Sequence, residues 1–263
     1  MKTYKVGEPT RAPTMFINAW GSEGVGKTSF LLSFPPPLYI LNFDRSIEHF
    51  FPGLPAGYGE VYYESFADQI DGTSRAVAQK CLTACETLAK EAMAGGKGSF
   101  LIDGGHRFVD IVRICKLGTA NPEDKRDYHF PNEYTRAFFL ALENSALQVG
   151  IAHPASSVWE SRNTESDRVK VDGFKHLPAI SKISLFMFVL GREAEVSPKL
   201  VEAAIGAKPT NRDMPRHWGQ IRVCKHDTSL EDKVYPNVSF SLLHNLCFKR
   251  DWSESGDELY EPG

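Results

Sequence analysis

A chain of 263 residues with 42% hydrophobic residues can bury one sizeable core. Its formal net charge of −3 leaves no global basic footprint of the kind that marks nucleic-acid binding. It has no run of about 18 apolar residues to span a membrane. Five cysteines, an odd number in a chain this long, argue for reduced thiols. With no signal-peptide pattern at Met1-Lys2-Thr3-Tyr4, the expectation is a soluble cytoplasmic protein.

Residues 1–13 are polar with two prolines and read as a flexible lead-in. Met15 to Trp20 is a mostly apolar run suited to a buried strand. It feeds Gly21-Ser22-Glu23-Gly24-Val25-Gly26-Lys27-Thr28, the pattern G-x-x-x-x-G-K-T, followed by Ser29. Such a loop curls consecutive backbone N–H groups around a polyphosphate, which demands small residues and unusual φ angles. Lys27 supplies a point charge for the phosphates and Thr28 a hydroxyl for Mg²⁺. Ser29 to Phe34 is a short apolar helix stopped by Pro35-Pro36-Pro37. Strand, glycine loop and helix N-terminus together make an anion site.

Leu38 to Phe43 reads as a second strand, ending at Asp44-Arg45-Ser46-Ile47-Glu48. Carboxylates just past the C-terminal end of a parallel strand lie where such sheets bind ligands. Glu60 to Tyr63 is a short strand within a Pro- and Gly-rich stretch. From Ser74 to Ala94 the apolar spacing is helical, with Thr73 or Ser74 as cap and Gly95-Gly96 as stop. Cys81 and Cys85 share one face of it and read as small packing residues. Ser99-Phe100-Leu101-Ile102-Asp103 is an apolar run ending in a carboxylate, about 75 residues after the loop, as a Walker B strand would be.

Helices are expected over Phe108 to Leu117 and Asn132 to Ala146, with a charged loop at 118–131 between them. Leu147 to Ala152 is a strand ending at His153-Pro154. Residues 155–173 are polar, charge-balanced and without periodicity, and read as a long loop carrying Trp159 and Arg162. A helix interrupted at Pro178 and a buried strand from Leu185 to Leu190 follow. Ile221 to Lys225 and Val238 to Leu243 alternate and predict a terminal hairpin. Cys224, His226, His244 and Cys247 would then face each other as a possible zinc set, at a spacing outside the usual finger patterns. Residues 251–263 form an acidic tail.

Alternating strands and helices imply an α/β core with a mostly parallel sheet, helices on both faces and a C-terminal antiparallel hairpin. From about Met15 to Leu243 the order of segments resembles the RecA-like P-loop ATPases. It is most similar to those encoded by bacteriophages that act in recombination and single-strand annealing. The resemblance implies one ATPase domain over residues 14–250, with ATP and Mg²⁺ as cofactors. Lys27 and Thr28 match the family's phosphate and Mg²⁺ residues, and Asp103 its Walker B acid. Asp44 falls where the family carries a Glu that polarises water, with Glu48 as substitute, and His153 ends the strand of the γ-phosphate sensor. Residues 118–131 and 154–173 match the DNA loops in position, which brings Trp159 and Arg162 forward as contacts to single-stranded DNA. Arg222 lies where a late strand presents a cation to a neighbouring subunit's nucleotide. A homo-oligomer, ring or filament, and a single-strand-binding protein are the partners so implied. Two other readings are a P-loop kinase of a nucleoside or other small molecule, with Arg162 and Arg168 in a lid, and a nucleotide-gated assembly factor with little turnover.

Overall fold

The computed structural model describes residues 13–44, 47–69, 74–121, 124–161, 164–171, 174, 176–190, 199, 201–203 and 215–248, with backbone alone at 125, 126, 156–161 and 164–171. The lead-in up to residue 12, Arg162 and the acidic tail lie outside the described residues.

Strands form where apolar runs can be covered on both faces. β1 (Phe16–Gly21) and β4 (Ser99–Asp103) are buried at every position, as central parallel strands must be. The full order is β3 (Val61–Ser65), β2 (Leu38–Asn42), β4, β5 (Gln148–Ser161), β1, β7 (Ile183–Val189), β8 (His217–Cys224) and β9 (Val234–Pro236). Neighbours from β3 to β7 run parallel. The pairs β7–β8 and β8–β9 are antiparallel. This is the expected α/β sheet with a C-terminal antiparallel hairpin. β6 (Thr164–Val171) pairs with β5 alone.

Pleating sends alternate side chains into two cores. Phe100 and Ile102 join Leu82 and Cys85 of α2 (Arg75–Gly95), Phe108 of α3 (Gly105–Leu117) and Phe139 of α4 (His129–Glu143). Leu101 faces the other way, towards Phe30 and Leu31 of α1 (Lys27–Leu31). Each such buried Leu, Ile or Phe contributes ~1.5–3 kcal/mol. A one-residue slip of β4 would exchange the two sets, so its register is fixed. α2 matches the expected helix: the Ser74 hydroxyl accepts from the Val77 N–H, and Gly96 closes it at φ 67°. Cys81 and Cys85 are buried on its packing face, where burial pushes the Cys85 thiol well up. α5 (Leu177–Ile180) is a single turn starting just before Pro178.

Two sequence expectations are corrected. The expected loop at 155–173 is instead a β-hairpin arm: β5 continues past His153 to Ser161 and folds back as β6. A two-stranded ribbon need not bury a face, so its sequence need not show hydrophobic alternation. The expected strand at Val238 to Leu243 is instead the start of α6 (Phe240–Phe248). Its buried residues Phe240, Leu243, His244 and Cys247 recur at helical spacing. Ser239 caps it by accepting from the Leu242 N–H. The strand that follows β8 and pairs with it is therefore β9.

Candidate functional site

The C-terminal ends of β1, β2, β4 and β5 lie side by side. Trp20 pairs with His153, Asn42 with Asp103, and Asp103 with Ala152. The loop after β1 turns through Gly24 and Gly26 at φ 73° and 91°, a region L side chains avoid. Val25 between them is anchored in the core, 1% exposed. Lys27 opens α1, and its ammonium donates to the carbonyls of Gly21 at 2.9 Å and Ser22 at 2.7 Å.

The next residue reaches across the sheet. Thr28 Oγ1 donates to Asp103 Oδ2 at 3.0 Å. Asp103 is only 2% exposed, and a carboxylate so buried is costly unless paired and hydrogen-bonded. These two hard oxygen donors beside a phosphate loop suit Mg²⁺, which takes one or two protein ligands and completes its shell with phosphate and water. Among the described residues no group of three or more His, Cys, Asp or Glu is placed to hold a metal.

A cleft of about 380 Å³ opens beside the loop, and Glu23, Lys27, Asp44, Asp103, Arg107 and His153 are among its lining residues. His153 is fully buried, and its imidazole lies 2.6 Å from where a Cβ on Gly105 would stand. The start of α3 therefore packs directly on His153. Asp44 faces the cleft, whereas Glu48 is absent from its lining and accepts from Asn42 Nδ2 at 3.1 Å. Asn42 is itself fully buried. It also donates to Ser65 Oγ at 3.2 Å and accepts from the Asp44 N–H at 3.2 Å. Its amide thus shapes the turn that presents Asp44.

Other expected residues lie elsewhere. Trp159 is on β5, paired in register with Glu165 on β6. Arg222 is exposed on β8, 3.8 Å from Asp232 and 5.8 Å over the Phe186 ring. Regular alternation put Arg222 and Cys224 on one face. A register shift opposite Ser184 and Leu185 breaks that alternation, so Arg222 is exposed while Cys224 is buried in the α1-side core. The thiols of Cys224 and Cys247 meet at 3.6 Å. His226 and His244 instead pack against the Phe248 ring, each with centroids 4.8 Å away, and the four do not form a zinc set.

Sequence reasoning missed three residues here. Asn42 carried a signal, a polar side chain between the apolar run Leu38-Tyr39-Ile40-Leu41 and Phe43. Arg107 follows Asp103 closely enough to have been considered. His217, whose Nδ1 lies 3.3 Å from the Val25 carbonyl, is distant in sequence and carried none.

No protein-family model matches this chain. No curated protein matches it by sequence. Among solved structures it is similar to an ATPase from the type III secretion system of pathogenic bacteria: TM-score 0.43, 12% identity, covering 66% of this chain and 51% of that one. It is also similar to a KaiC-like protein from the archaeon Pyrococcus horikoshii: TM-score 0.43, 11% identity, 84% of each chain. A third is the assembled ATPase EscN from the type III secretion system of enteropathogenic E. coli: TM-score 0.40, 14% identity, covering 66% of this chain and 43% of that one. The chain thus spans about half the length of the first of these ATPases.

Proposed function

We propose that this chain binds ATP with Mg²⁺ and hydrolyses it, as a RecA-like ATPase. The observation that carries the reading is the Thr28–Asp103 contact at 3.0 Å, beside Lys27 and a left-handed glycine loop. Thr28 and Asp103, 75 positions apart, are brought together where a hydroxyl and a carboxylate can serve one ion. Mg²⁺ held there with the nucleotide's phosphates would neutralise charge that builds on the phosphoryl oxygens. The loop amides and Lys27 grip the phosphates. Asp44 holds the attacking water in the cleft, and His153 contacts the terminal phosphate from the strand between the P-loop and Asp103. Catalysis is then positioning plus charge stabilisation.

We further propose that turnover is coupled to single-stranded DNA within a homo-oligomer, in a phage recombination or annealing task. The β5–β6 arm, which carries Trp159, serves as the DNA contact together with Arg162, next in the sequence after Ser161, because the arm continues the strand that delivers His153. An aromatic and a guanidinium can stack on bases without reading sequence.

The test is phosphate release from ATP with and without Mg²⁺ and single-stranded DNA, for the parent and Lys27→Ala. Mg²⁺-dependent release by the parent alone supports the ATPase reading, and stimulation by DNA supports the coupling. Transfer of phosphate to an added nucleoside instead of water would replace it with the kinase reading. Tight ATP binding with no release would replace it with the assembly-factor reading.

A further inference from the structure

Hydrolysis needs positive charge on the side of the terminal phosphate away from the P-loop. Lys27 cannot supply all of it, since its ammonium is drawn back on the loop carbonyls of Gly21 and Ser22. The cleft has three carboxylates among its lining, Glu23, Asp44 and Asp103, against two permanently charged cations, Lys27 and Arg107. Arg222, the cation expected from the sequence, does not line it.

Arg107 is aimed there by the way α3 packs. Phe108, Val109, Ile111 and Val112 are all at most 1% exposed, which fixes the helix's inner face on the core and turns the residue before Phe108 away from it. The helix opens on Gly104 in a left-handed turn at φ 89°, and the Arg107 N–H donates to the Gly104 carbonyl at 2.9 Å. Gly104 follows Asp103 directly, so the Mg²⁺ carboxylate and the guanidinium are set by one rigid turn. Gly105 at the same turn packs on His153.

We propose that Arg107 is a catalytic cation acting in cis, its guanidinium binding terminal phosphate oxygens of the nucleotide in its own subunit. This rests on the ATPase reading above. In the step it serves, a water oxygen bonds to the γ-phosphorus as the bond to the β–γ bridging oxygen breaks. ADP, inorganic phosphate and one proton leave. Charge grows on the oxygens that Arg107 faces, so its hydrogen bonds strengthen in the transition state more than in the bound ground state. A planar fork holds two of those oxygens through parallel N–H bonds in a fixed geometry, which a freely rotating ammonium does not impose. Arg107 is half-buried, so its charge is less screened than that of a surface arginine.

The experiment compares parent, Arg107→Ala, Arg107→Lys and Lys27→Ala for ATP affinity and for turnover, after thermal melts show each variant folded. Arg107→Ala should lower kcat ~10²-fold or more while its ATP Kd changes less than ~10-fold. Arg107→Lys should recover only part of the loss, and it also serves as the second variant should Arg107→Ala fail to fold. Mixing Arg107→Ala with Lys27→Ala should restore nothing, because the two residues are needed in the same subunit. Parental turnover in Arg107→Ala overturns the assignment, and so does a rise in Kd that accounts for the whole loss. Recovery on mixing places Arg107 in trans and overturns the cis assignment. A parent that releases no phosphate removes the ATPase reading itself, a different result from an active parent with an equally active Arg107→Ala.

Discussion

The imidazole of His217 sits on the P-loop, its Nδ1 3.3 Å from the carbonyl oxygen of Val25 and 3.4 Å from where a Cβ on Gly26 would stand. A carbonyl can only accept, so Nδ1 carries the proton in this contact. The first residue of β8 therefore clamps the loop whose amides, on the function proposed above, hold phosphate. Removing one such hydrogen bond costs ~1 kcal/mol, or about fivefold in an equilibrium. His217→Ala should raise the ATP Kd by roughly that factor with a smaller change in kcat, measured by titration with a fluorescent ATP analogue. Gly26→Ala should be far worse, because it adds a strained left-handed alanine beneath the ring. Equal affinities for parent and His217→Ala would remove the clamp.

Asp44 and Glu48 stand in different surroundings. Asp44 faces the cleft, while Glu48 is bound to Asn42. Asp44→Asn should cut hydrolysis with little effect on ATP binding, since a water-orienting group acts in the transition state. Glu48→Gln should leave kcat near parental and lower stability by ~1 kcal/mol or less, because it weakens a charged partner of Asn42. Single-turnover assays and urea titrations separate the two, and the reverse pattern would make Glu48 the water-orienting residue.

The P-loop was legible because its chemistry is local: eight consecutive residues carry the glycines, the cation and the hydroxyl. Asp103 was legible because an apolar run ended in a carboxylate at a plausible distance. What the sequence did not show for Asn42, His217 and Arg107 is which groups they meet, because that depends on which strand ends the sheet sets side by side. Val238-Ser239-Phe240-Ser241-Leu242 alternates like a strand, yet the helical recurrence of Phe240, Leu243, His244 and Cys247 fits the core against α1. There Phe240 packs on Phe34 at 4.7 Å between centroids, and its N–H donates to Ser33 Oγ at 2.8 Å. Tertiary contacts decided an ambiguous pattern. The β5–β6 arm escaped detection because hydrophobic periodicity reports burial of a face, not backbone pairing.

Cys224 and Cys247 give a pH dependence of stability. The hydrogen bond from Cys247 draws Cys224 below its ordinary 9.0, to about 6, against the opposing effect of burial. The same bond pushes Cys247 up. The Asp227 N–H also donates to Cys224 Sγ at 3.4 Å. Around them lie Asp227, whose charge opposes ionisation, Glu231, which accepts from the Cys224 N–H, and His226, shifted down by its own burial. Between about pH 6 and pH 9 the folded chain has released a proton that the unfolded chain keeps. The stabilisation is therefore complete near pH 9 and is lost as pH falls towards 6. Above pH 9 the raised Cys247 reverses the trend. The stability gap between parent and Cys224→Ser should widen from pH 6 to pH 8.5 by at most ~1.4 kcal/mol per unit. Parallel urea-unfolding profiles across that range would show that the pair does not ionise in this window.

The cation expected to act between subunits remains a separate prediction from Arg107. Two cations stand close together here, Arg222 on β8 and Lys225 just past its end, and their surroundings differ. Lys225 donates its ammonium to the Ala179 carbonyl at 2.6 Å and is tied to its own subunit. Arg222 is exposed, and the register shift in β8 turns it away from the buried Cys224. Its contact with Asp232 is long, at 3.8 Å, and 79% of the Asp232 side chain is exposed, so releasing it costs little. In the homo-oligomer proposed above, a guanidinium so exposed and so loosely held would be available to a neighbour's nucleotide. Where such a finger is used, its loss costs ~10³-fold or more in turnover. Arg222→Ala alone should therefore be nearly inactive while still binding ATP. Mixed with Lys27→Ala, it should regain activity, because some junctions then pair an intact P-loop with an intact finger. The Arg107 mixture, run in parallel, should regain none. Full activity of Arg222→Ala, or no recovery despite co-assembly shown by light scattering and crosslinking, would sink the trans role and leave Arg222 an ordinary surface cation.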